Sequence, residues 1–276
     1  MQLTLLGTGD AAQVPVYNCD CAACERARQH TAHRRGPCSA LLEFDGARWL
    51  IDSGLPDLAD RFPPGTLTGV LQTHYHADHA QGLLHLRWGT NLRIPVLGPA
   101  DPDGLADLYK HPGILDFSHT LTAFRKEELE GGVRMCISSP SPGRAEEAES
   151  SRPSRCTVTP VPLIHSRPTF GYVFEGGGRR CAYLTDTVGL PEDTAAYLQA
   201  LPLDVLVLDC SLPPADATPR NHNDLTRALE TAALLSPRRT VLTHIGHRMD
   251  AWLMENGHAL PSGVEAGYDG MALYST

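Results

Sequence analysis

The sequence predicts an α/β protein in which helices and strands form layers around a sheet. Short apolar segments of strand length recur along the chain, and segments with helical periodicity lie between them. Several of the apolar segments end in Gly, Asp or His. This alternation of short strands and helices is typical of layered α/β folds.

The predicted strands form two hairpins and several single segments. Residues 41–44 and 48–51 flank Asp45-Gly46, a dipeptide that favours a tight hairpin turn. Residues 170–174 and 181–184 flank a Gly-rich turn and predict the second hairpin. Further strands are predicted at residues 1–7, 70–73, 205–208 and 240–243, of which the last two are apolar enough to be buried.

Helices are predicted at residues 83–88, 194–201 and 225–235. Residues 137–154 differ, because Ser, Pro and Glu dominate them and almost no side chain there can be buried. We interpret this segment as a flexible surface insertion. Strand-like sequence resumes directly after it, so residues 1–276 are predicted to form a single domain.

The overall charge argues against a nucleic-acid polymer as partner. The 276 residues carry 23 Lys and Arg against 32 Asp and Glu, which gives a net charge of −9. A protein that holds a polyanion over a broad surface is usually basic. A small anionic substrate is compatible with this charge if metal ions supply positive charge locally. The 13 His and 8 Cys indicate such metal binding.

Nothing in the sequence predicts membrane contact. No apolar segment approaches the roughly 20 residues that a membrane helix needs. The first residues lack the basic start and the small-residue cleavage site of a signal peptide. We therefore expect a cytoplasmic protein, in which clustered cysteines favour metal over disulfides.

The strongest motif is Thr-His-Tyr-His-Ala-Asp-His at residues 73–79. It follows a predicted strand and leads into helical sequence, so His74 and His76 can point to the same side. Asp78 and His79 then project from the first helical turn. Imidazole and carboxylate groups together suit zinc, manganese or iron, and the motif predicts a metal site.

Three later residues follow an apolar segment in the same way: His165, Asp186 and His244. Ligands gather at strand ends along one edge of a layered α/β sheet. Taken singly, each could be a capping Asp or a core His. Together with the motif they complete a set of seven ligands, which suffices for two metals that share one bridging carboxylate.

A second cluster consists of Cys19, Cys21 and Cys24, three thiols within six residues. A structural zinc needs four ligands, and His247, three residues after His244, is the candidate for the fourth. The alternative is three buried thiols without a ligand. The other five cysteines lack ligand spacing and are interpreted as small buried side chains: Cys38, Cys136, Cys156, Cys181 and Cys210.

The chain resembles the metallo-β-lactamase superfamily, whose fold is an αββα sandwich. Within it, the chain is most similar to the PhnP-type cyclic-phosphate phosphodiesterases of the carbon–phosphorus lyase pathway. The departures are the 137–154 insertion and a small one at residues 257–258, and neither touches a predicted metal ligand. The matching segments are residues 7–9, 51–54, 73–79, 86–89, 110–113, 115–120, 220–222, 250–256 and 260–263.

The resemblance implies roles for the candidate residues. Asp52 would orient a metal ligand without binding metal itself. His222 would stabilise or protonate the leaving oxygen, although from the residues alone a loop histidine without a chemical role is the simpler interpretation. Three sets would hold metal: His74, His76 and His165 for one catalytic ion; Asp78, His79 and His244 for the second, with Asp186 bridging; and Cys19, Cys21, Cys24 and His247 for a structural zinc.

The implied reaction is hydrolysis of 5-phospho-α-D-ribose 1,2-cyclic phosphate to ribose 1,5-bisphosphate during phosphonate breakdown. A side activity on 2′,3′-cyclic nucleotides is also implied. The resemblance favours manganese over zinc for the two catalytic ions, and it implies a homodimer. Nothing else in the sequence bears on the oligomeric state.

Two alternatives stay open at this point. A tRNA 3′-processing endonuclease of the same superfamily has a similar histidine motif, but it needs a protruding arm and a basic surface. Here the only candidate arm is the short segment 137–154, which contains three Glu. A non-catalytic binding protein resembling PqqB would share the fold and the cysteine site, but it would have an incomplete set of catalytic ligands.

Overall fold

The computed structural model describes residues 1–129, 131, 156–215 and 219–274. Over these residues the strands form two sheets, in the orders β1-β2-β3-β4-β5-β6 and β13-β12-β11-β10-β9-β8-β7. The predicted insertion at 137–154 and Cys136 lie outside the described residues. The strands are β1 (Gln2–Gly7), β2 (Ser39–Phe44), β3 (Ala47–Ile51), β4 (Gly69–Leu71), β5 (Ile94–Leu97), β6 (Leu115–Asp116), β7 (Glu127–Leu129), β8 (Cys156–Pro162), β9 (Phe170–Gly176), β10 (Arg179–Leu184), β11 (Val205–Asp209), β12 (Arg239–Thr243) and β13 (Val264–Ala266).

Both predicted hairpins are confirmed. The β2–β3 turn places Asp45 and Gly46 at φ values of 46° and 74°, the left-handed region that a tight hairpin requires. In the β9–β10 turn, Gly177 and Gly178 also have φ values in the left-handed region. These turns fix the antiparallel register at the centre of each sheet.

Helices cover the outer faces of both sheets. The predicted helix at 225–235 is confirmed as α7: Asp224 accepts a hydrogen bond from the Arg227 amide at its start, and buried Ala228 and Ala232 face the sheet. Of the predicted helix at 83–88, only one turn forms. No helix among the described residues is long and apolar enough to cross a bilayer. The helices are α1 (Ala22–Gln29), α2 (Leu58–Arg61), α3 (Ala77–Ala80), α4 (Leu83–Leu86), α5 (Ala106–Lys110), α6 (Glu192–Gln199), α7 (Leu225–Leu235) and α8 (His247–Asn256), with 3₁₀ turns at Thr31–His33 and Gly257–Ala259.

Side-chain alternation along the strands explains the four layers. In β11, Val205 and Val207 enter a core cluster that lies between the two sheets, whereas Leu206 and Leu208 pack under the helices of their own side. In β3, Trp49 joins the cluster between the sheets and Leu50 joins the helix-covered cluster of the other side. Strands with two apolar faces need cover on both. The fold is therefore the predicted αββα sandwich.

Candidate metal centre

The predicted His and Asp ligands lie where strands end. His74 follows β4, His165 follows β8, Asp186 follows β10 and His244 follows β12. Strands β10, β11 and β12 are parallel, and β8 runs in the same direction because both β8 and β10 pair antiparallel with β9. Their carboxyl ends therefore meet at one edge of the sheet, as the sequence predicted.

The backbone turns sharply at two of these strand ends, after β10 and β12, and at the end of β3. Asp52, Asp186 and His244 have φ values of 56°, 61° and 56°, which lie in the left-handed region. Asn, Asp and His are the non-glycine residues most often found there. Asp186 and His244 are at most 2% exposed, and Asp52 is fully buried.

One set of four side chains, the first donor group, consists of His74, His76, His165 and Asp186. His76 Nδ1 lies 2.9 Å from His74 Nε2 and 3.0 Å from His165 Nε2. Asp186 Oδ2 lies 3.6 Å from both of those Nε2 atoms. All four ligand atoms fall within 4.8 Å of one another, a spacing that one metal ion could bridge.

The second donor group consists of Asp78, His79, Asp186 and His244, and its ligand atoms also lie within 4.8 Å of one another. Asp186 Oδ1 is 3.2 Å from His79 Nε2 and 3.3 Å from His244 Nε2. Asp78 Oδ2 lies 3.4 Å and 3.8 Å from the same two nitrogens. Because Oδ1 and Oδ2 of Asp186 face different groups, this carboxylate occupies the bridging position that the resemblance implied.

Two buried nitrogens of the second donor group fit a metal ion. His79 Nε2 and His244 Nε2 are inaccessible to solvent and have no hydrogen-bond partner. A buried polar atom left without a partner costs about 1–3 kcal/mol. A cation near these two nitrogens would accept the lone pairs of both. A donor set of nitrogen and oxygen atoms suits zinc, manganese or iron. The residues present therefore fit the predicted dinuclear centre.

The electrostatics of this centre also favour a cation. Burial alone would lower the pKa of His244, but the Asp186 and Asp78 carboxylates raise it to about 10. The pKa of Asp186 lies well below its usual range, because His244, His79 and His74 outweigh its burial. The pKa of buried His74 is lowered, which keeps that ring neutral. Metal ions would replace the protons that the carboxylates otherwise hold on the histidines.

Asp52 lies behind the second donor group. Its Oδ2 is 2.8 Å from His79 Nδ1, so that ring presents Nε2 to the centre. Asp52 also accepts hydrogen bonds from the Thr73 amide and the Gln72 side chain. These contacts attach the carboxylate to the loop that carries His74, and they agree with the orienting role that the resemblance implied.

His222 lies beside both donor groups. Its ring centroid is 5.2 Å from that of His165 and 4.6 Å from that of His244, and its side chain is 28% exposed. His222 Nδ1 lies 2.9 Å from Asp209 Oδ2. Burial lowers the pKa of His222, but the hydrogen bond and charge of Asp209 outweigh this effect and raise it overall. A partly exposed imidazole beside the centre, with its protonated form favoured by Asp209, is placed to donate a proton.

Two residues of this site were not predicted from the sequence. Asp209 is fully buried at the end of β11 and contacts His222, while Ser211 lies 2.8 Å from His244 Nδ1. Asp209 follows the predicted strand at 205–208, so the strand-end rule that selected Asp186 could have found it. Ser211 carries no charge and no motif, and only its position in the fold reveals it.

The second predicted site, the cysteine cluster, consists of Cys19, Cys21, Cys24 and His247. His247 Nδ1 lies 3.3 Å from Cys19 Sγ and 3.5 Å from Cys21 Sγ, and all four ligand atoms lie within 4.8 Å of one another. A backbone hydrogen bond from Cys21 lowers the pKa of Cys19, whereas burial raises that of Cys24 to about 12. Three thiols and an imidazole are a donor set of structural zinc sites.

Four residues connect the cysteine cluster to the second donor group, from His244 to His247, the first residue of α8. Between them, the Ile245 amide donates to Thr8 O at 2.7 Å and the Gly246 amide to Ser211 O at 3.2 Å. A Cβ at Gly246 would lie 2.6 Å from the Asp10 carboxylate and 2.8 Å from Ser211 O, so only glycine fits there. The connection is short and closely packed.

The remaining described cysteines agree with their interpretation as small buried side chains. Cys38, Cys156, Cys181 and Cys210 are free thiols and at most 1% exposed.

Comparison with known proteins identifies the class. A family model described as a beta-lactamase superfamily domain matches residues 48–245, and the chain belongs to this superfamily. The predicted likeness to PhnP-type proteins is also confirmed. The crystal structure of a diphosphatase from the PhnP family is 27% identical, superimposes with a TM-score of 0.74, and is matched over 99% of this chain and 96% of that one.

Two further similarities differ in kind. An octanoyltransferase of Porphyromonas gingivalis is 27% identical over 281 residues, which cover 98% of this chain. The chain spans about half the length of that relative, 51%. The zinc-bound structure of PqqB from Methylobacterium extorquens is 20% identical, with a TM-score of 0.72 and full coverage of both chains. This last likeness concerns the fold alone.

Proposed function

We propose that the protein is a metal-dependent phosphoric diester hydrolase of the PhnP type. It opens 5-phospho-α-D-ribose 1,2-cyclic phosphate to ribose 1,5-bisphosphate during phosphonate breakdown, with a side activity on 2′,3′-cyclic nucleotides. The observation that carries the proposal is the position of His222 beside two donor groups that share Asp186. The likeness to the PhnP-family diphosphatase supports the same class of chemistry.

In this proposal the seven His and Asp ligands hold two divalent cations, manganese or alternatively zinc. Bound there, the cations would neutralise phosphate oxygens and lower the pKa of a water molecule. This local charge reconciles an anionic substrate with a protein of net charge −9. The same charge speaks against tRNA as substrate.

The chain's own residues handle the leaving group. The product keeps its phosphate on C1, so a water oxygen forms a bond to phosphorus while the bond to the 2-oxygen breaks. His222 donates its Nε2 proton to that oxygen, which becomes the 2-hydroxyl. Asp209 accepts the hydrogen bond from His222 Nδ1, and it thereby orients the ring and favours the protonated form.

Hydrolysis of a diphosphate is a second candidate, because the similar PhnP-family structure is described as a diphosphatase. The donor groups would serve either reaction. The leaving groups differ, however, because a phosphate leaves readily without a proton whereas a sugar oxygen does not. A general acid contributes most to the poorer leaving group, so His222 favours the sugar diester.

A non-catalytic role like that of a PqqB-type binding protein fits the fold but not the site. All seven predicted donors converge, and His222 stands beside them. We therefore favour a catalytic role over a purely binding one. The homodimer stays a prediction from the resemblance, and the cytoplasmic location stays a prediction from the sequence.

The cysteine cluster is proposed to hold one closed, structural zinc that braces the end of β12. Support comes from the short packed connection between His244 and His247. Its four protein ligands would leave no open position for a substrate.

Metal content and turnover measured on one purified sample test the proposal. We expect one tightly held zinc per chain and manganese-stimulated opening of the ribosyl cyclic phosphate, far ahead of 2′,3′-cyclic AMP. A sugar-linked diphosphate serves as the competing substrate. Faster hydrolysis of that compound would replace the diesterase with a diphosphatase. One zinc and no hydrolysis with any added metal would contradict both and favour a binding protein.

A further inference from the structure

We propose that Ser211 is a positioning residue, whose hydroxyl fixes the metal-facing tautomer of His244 and ties that ring to the carboxylate that orients His222. The proposal rests on the proposed dinuclear centre and adds to it a residue outside the set of ligands. It starts from a continuous chain of hydrogen bonds that runs behind the centre: His222, Asp209, Ser211 and His244.

The direction of each hydrogen bond follows from the groups involved. Ser211 Oγ lies 2.9 Å from Asp209 Oδ1 and 2.8 Å from His244 Nδ1. A carboxylate can only accept, so the single hydroxyl proton goes to Asp209. Ser211 Oγ must then accept from His244, which places the ring proton on Nδ1.

The tautomer matters because the other nitrogen faces the donor groups. In the neutral ring that a metal ion would bind, a proton on Nδ1 leaves the lone pair on His244 Nε2, the buried nitrogen without a hydrogen-bond partner, 3.3 Å from Asp186 Oδ1. A ring with its proton on Nε2 could not bind a metal there. Ser211 therefore selects the tautomer that can act as a ligand.

Ser211 is itself held rigidly. It is 3% exposed, its amide donates to Asn223 O at 3.0 Å, and its carbonyl accepts from the Gly246 amide at 3.2 Å. Asn223 directly follows His222 in sequence, and Gly246 lies two residues after His244. The residue thus joins the two histidine-bearing segments through its backbone as well as its hydroxyl.

Asp209 completes the link to the proposed acid. Its Oδ2 accepts from His222 Nδ1 and from the Thr187 amide, both at 2.9 Å, while Oδ1 accepts from Ser211. The His222 and His244 rings stack at an interplanar angle of 14°. One buried carboxylate therefore orients the proposed proton donor directly and a proposed metal ligand through Ser211.

The two histidines of the second donor group are held differently. His79 Nδ1 bonds directly to the Asp52 carboxylate, whereas His244 Nδ1 meets a neutral hydroxyl. Loss of the hydroxyl leaves the His244 ring free to rotate or to change tautomer. Loss of an outer-shell partner of this kind typically weakens metal binding about 10- to 100-fold.

The test compares Ser211→Ala with Ser211→Thr, which keeps a hydroxyl, and with Cys210→Ala as a matched control. Cys210 is the adjacent buried residue, and its side chain belongs to the helix-covered core cluster. Manganese is titrated calorimetrically into zinc-containing protein from which other metals have been removed. Zinc content and thermal unfolding are followed for each variant.

We expect Ser211→Ala to lose about 10- to 100-fold in manganese affinity at the second donor group, to which His244 belongs, while the other two variants stay close to wild type. Nitrogen-15 histidine spectra of protein fully loaded with zinc should show a protonated Nδ1 on His244 in wild type and a loss of its protection from exchange in Ser211→Ala. If Ser211→Thr fails to fold, the spectra of wild type and Ser211→Ala still test the proposal.

The outcomes separate the two proposals. Wild-type protein whose histidine–aspartate centre binds neither manganese nor zinc overturns the proposed function and this inference with it. Wild-type protein that binds two manganese ions, with Ser211→Ala equal to Cys210→Ala in affinity and spectra, overturns the inference alone. A folded Ser211→Thr as weak as Ser211→Ala would also overturn it, because the hydroxyl would then not be the cause.

Discussion

The histidine–aspartate centre and the cysteine cluster lie three residues apart in sequence at their nearest point, from His244 to His247, yet they are built in opposite ways. The centre takes its ligands from the ends of strands in both sheets and shares Asp186 between two groups. The cysteine cluster takes three of its four ligands from residues 19–24, and the fourth begins α8. One site depends on the whole fold, and the other mainly on a short segment that ends in the first turn of α1.

The surroundings of the two sites differ as well. The centre is backed by Asp52, Asp209 and Ser211, which orient His79, His222 and His244. Side chains that only orient others are needed where ligands must leave room for a reaction. A site filled by four protein ligands needs no such layer, and this contrast teaches which of the two is suited to chemistry.

The strongest test of the comparison is His76→Ala. His76 Nδ1 lies within 3.0 Å of both neighbouring histidine nitrogens of its group, so its loss should empty that metal position. A metal supplies several kcal/mol of charge stabilisation, so diesterase turnover should fall by about 10³-fold or more. Zinc content should stay at one per chain, and unchanged turnover would contradict the mechanism.

A smaller but sharper effect is expected for His222→Asn. Removal of a general acid typically lowers kcat about 10²- to 10⁴-fold. The loss should nearly vanish for a p-nitrophenyl phosphodiester, whose leaving group needs no proton. The exposed residue His258 gives a matched control as His258→Asn. Equal losses on both substrates would mean that His222 supports the structure and is not the acid.

Next in size is Asp52→Asn, which probes the orienting layer of the centre. Asn tolerates the left-handed backbone at this position, so the protein should fold. The hydrogen bond to His79 loses its charge, and manganese affinity should fall about 10- to 100-fold. Wild-type manganese affinity in calorimetry would contradict this prediction, because His79 would then not depend on the Asp52 charge to bind metal.

The smallest effect on turnover is expected for Cys21→Ser, which should release the zinc and lower the melting temperature. Its influence on catalysis must pass through the His244–His247 connection. Coupling between distinct sites usually amounts to about 0.5–2 kcal/mol, which corresponds to a loss of about 2- to 30-fold at saturating manganese. A loss as large as that of His76→Ala in protein that is still folded would make the two sites one functional unit.

Patterns local in sequence predicted much of the fold. Both hairpins and the helix at 225–235 formed where turn residues and periodicity indicated them. Strands β6, β7 and β13 have only two or three residues, too few for any periodicity to show. They form because neighbouring strands supply hydrogen-bond partners, which is a property of the tertiary structure.

The candidate site, like the fold, could be predicted from the sequence only in part. Its ligand types and strand-end positions are visible in the sequence, and the structure brings all seven together. The pairing of Asp209 with His222 spans 13 residues and crosses between a strand end and a loop, and that of Ser211 with His244 spans 33. No local pattern encodes such contacts, so the partners of Asp209 and Ser211 required the fold.

The left-handed turns at Asp52, Asp186 and His244 also shape how such a protein can diverge. Few residues other than Gly, Asn, Asp and His adopt this conformation readily, so the backbone restricts substitution to types that preserve the scaffold. A single exchange of Asp for Asn would remove a charge from the centre and leave the turn intact. Under the proposed function, one such exchange would yield a protein that keeps the sandwich and loses hydrolysis, a short evolutionary route away from catalysis.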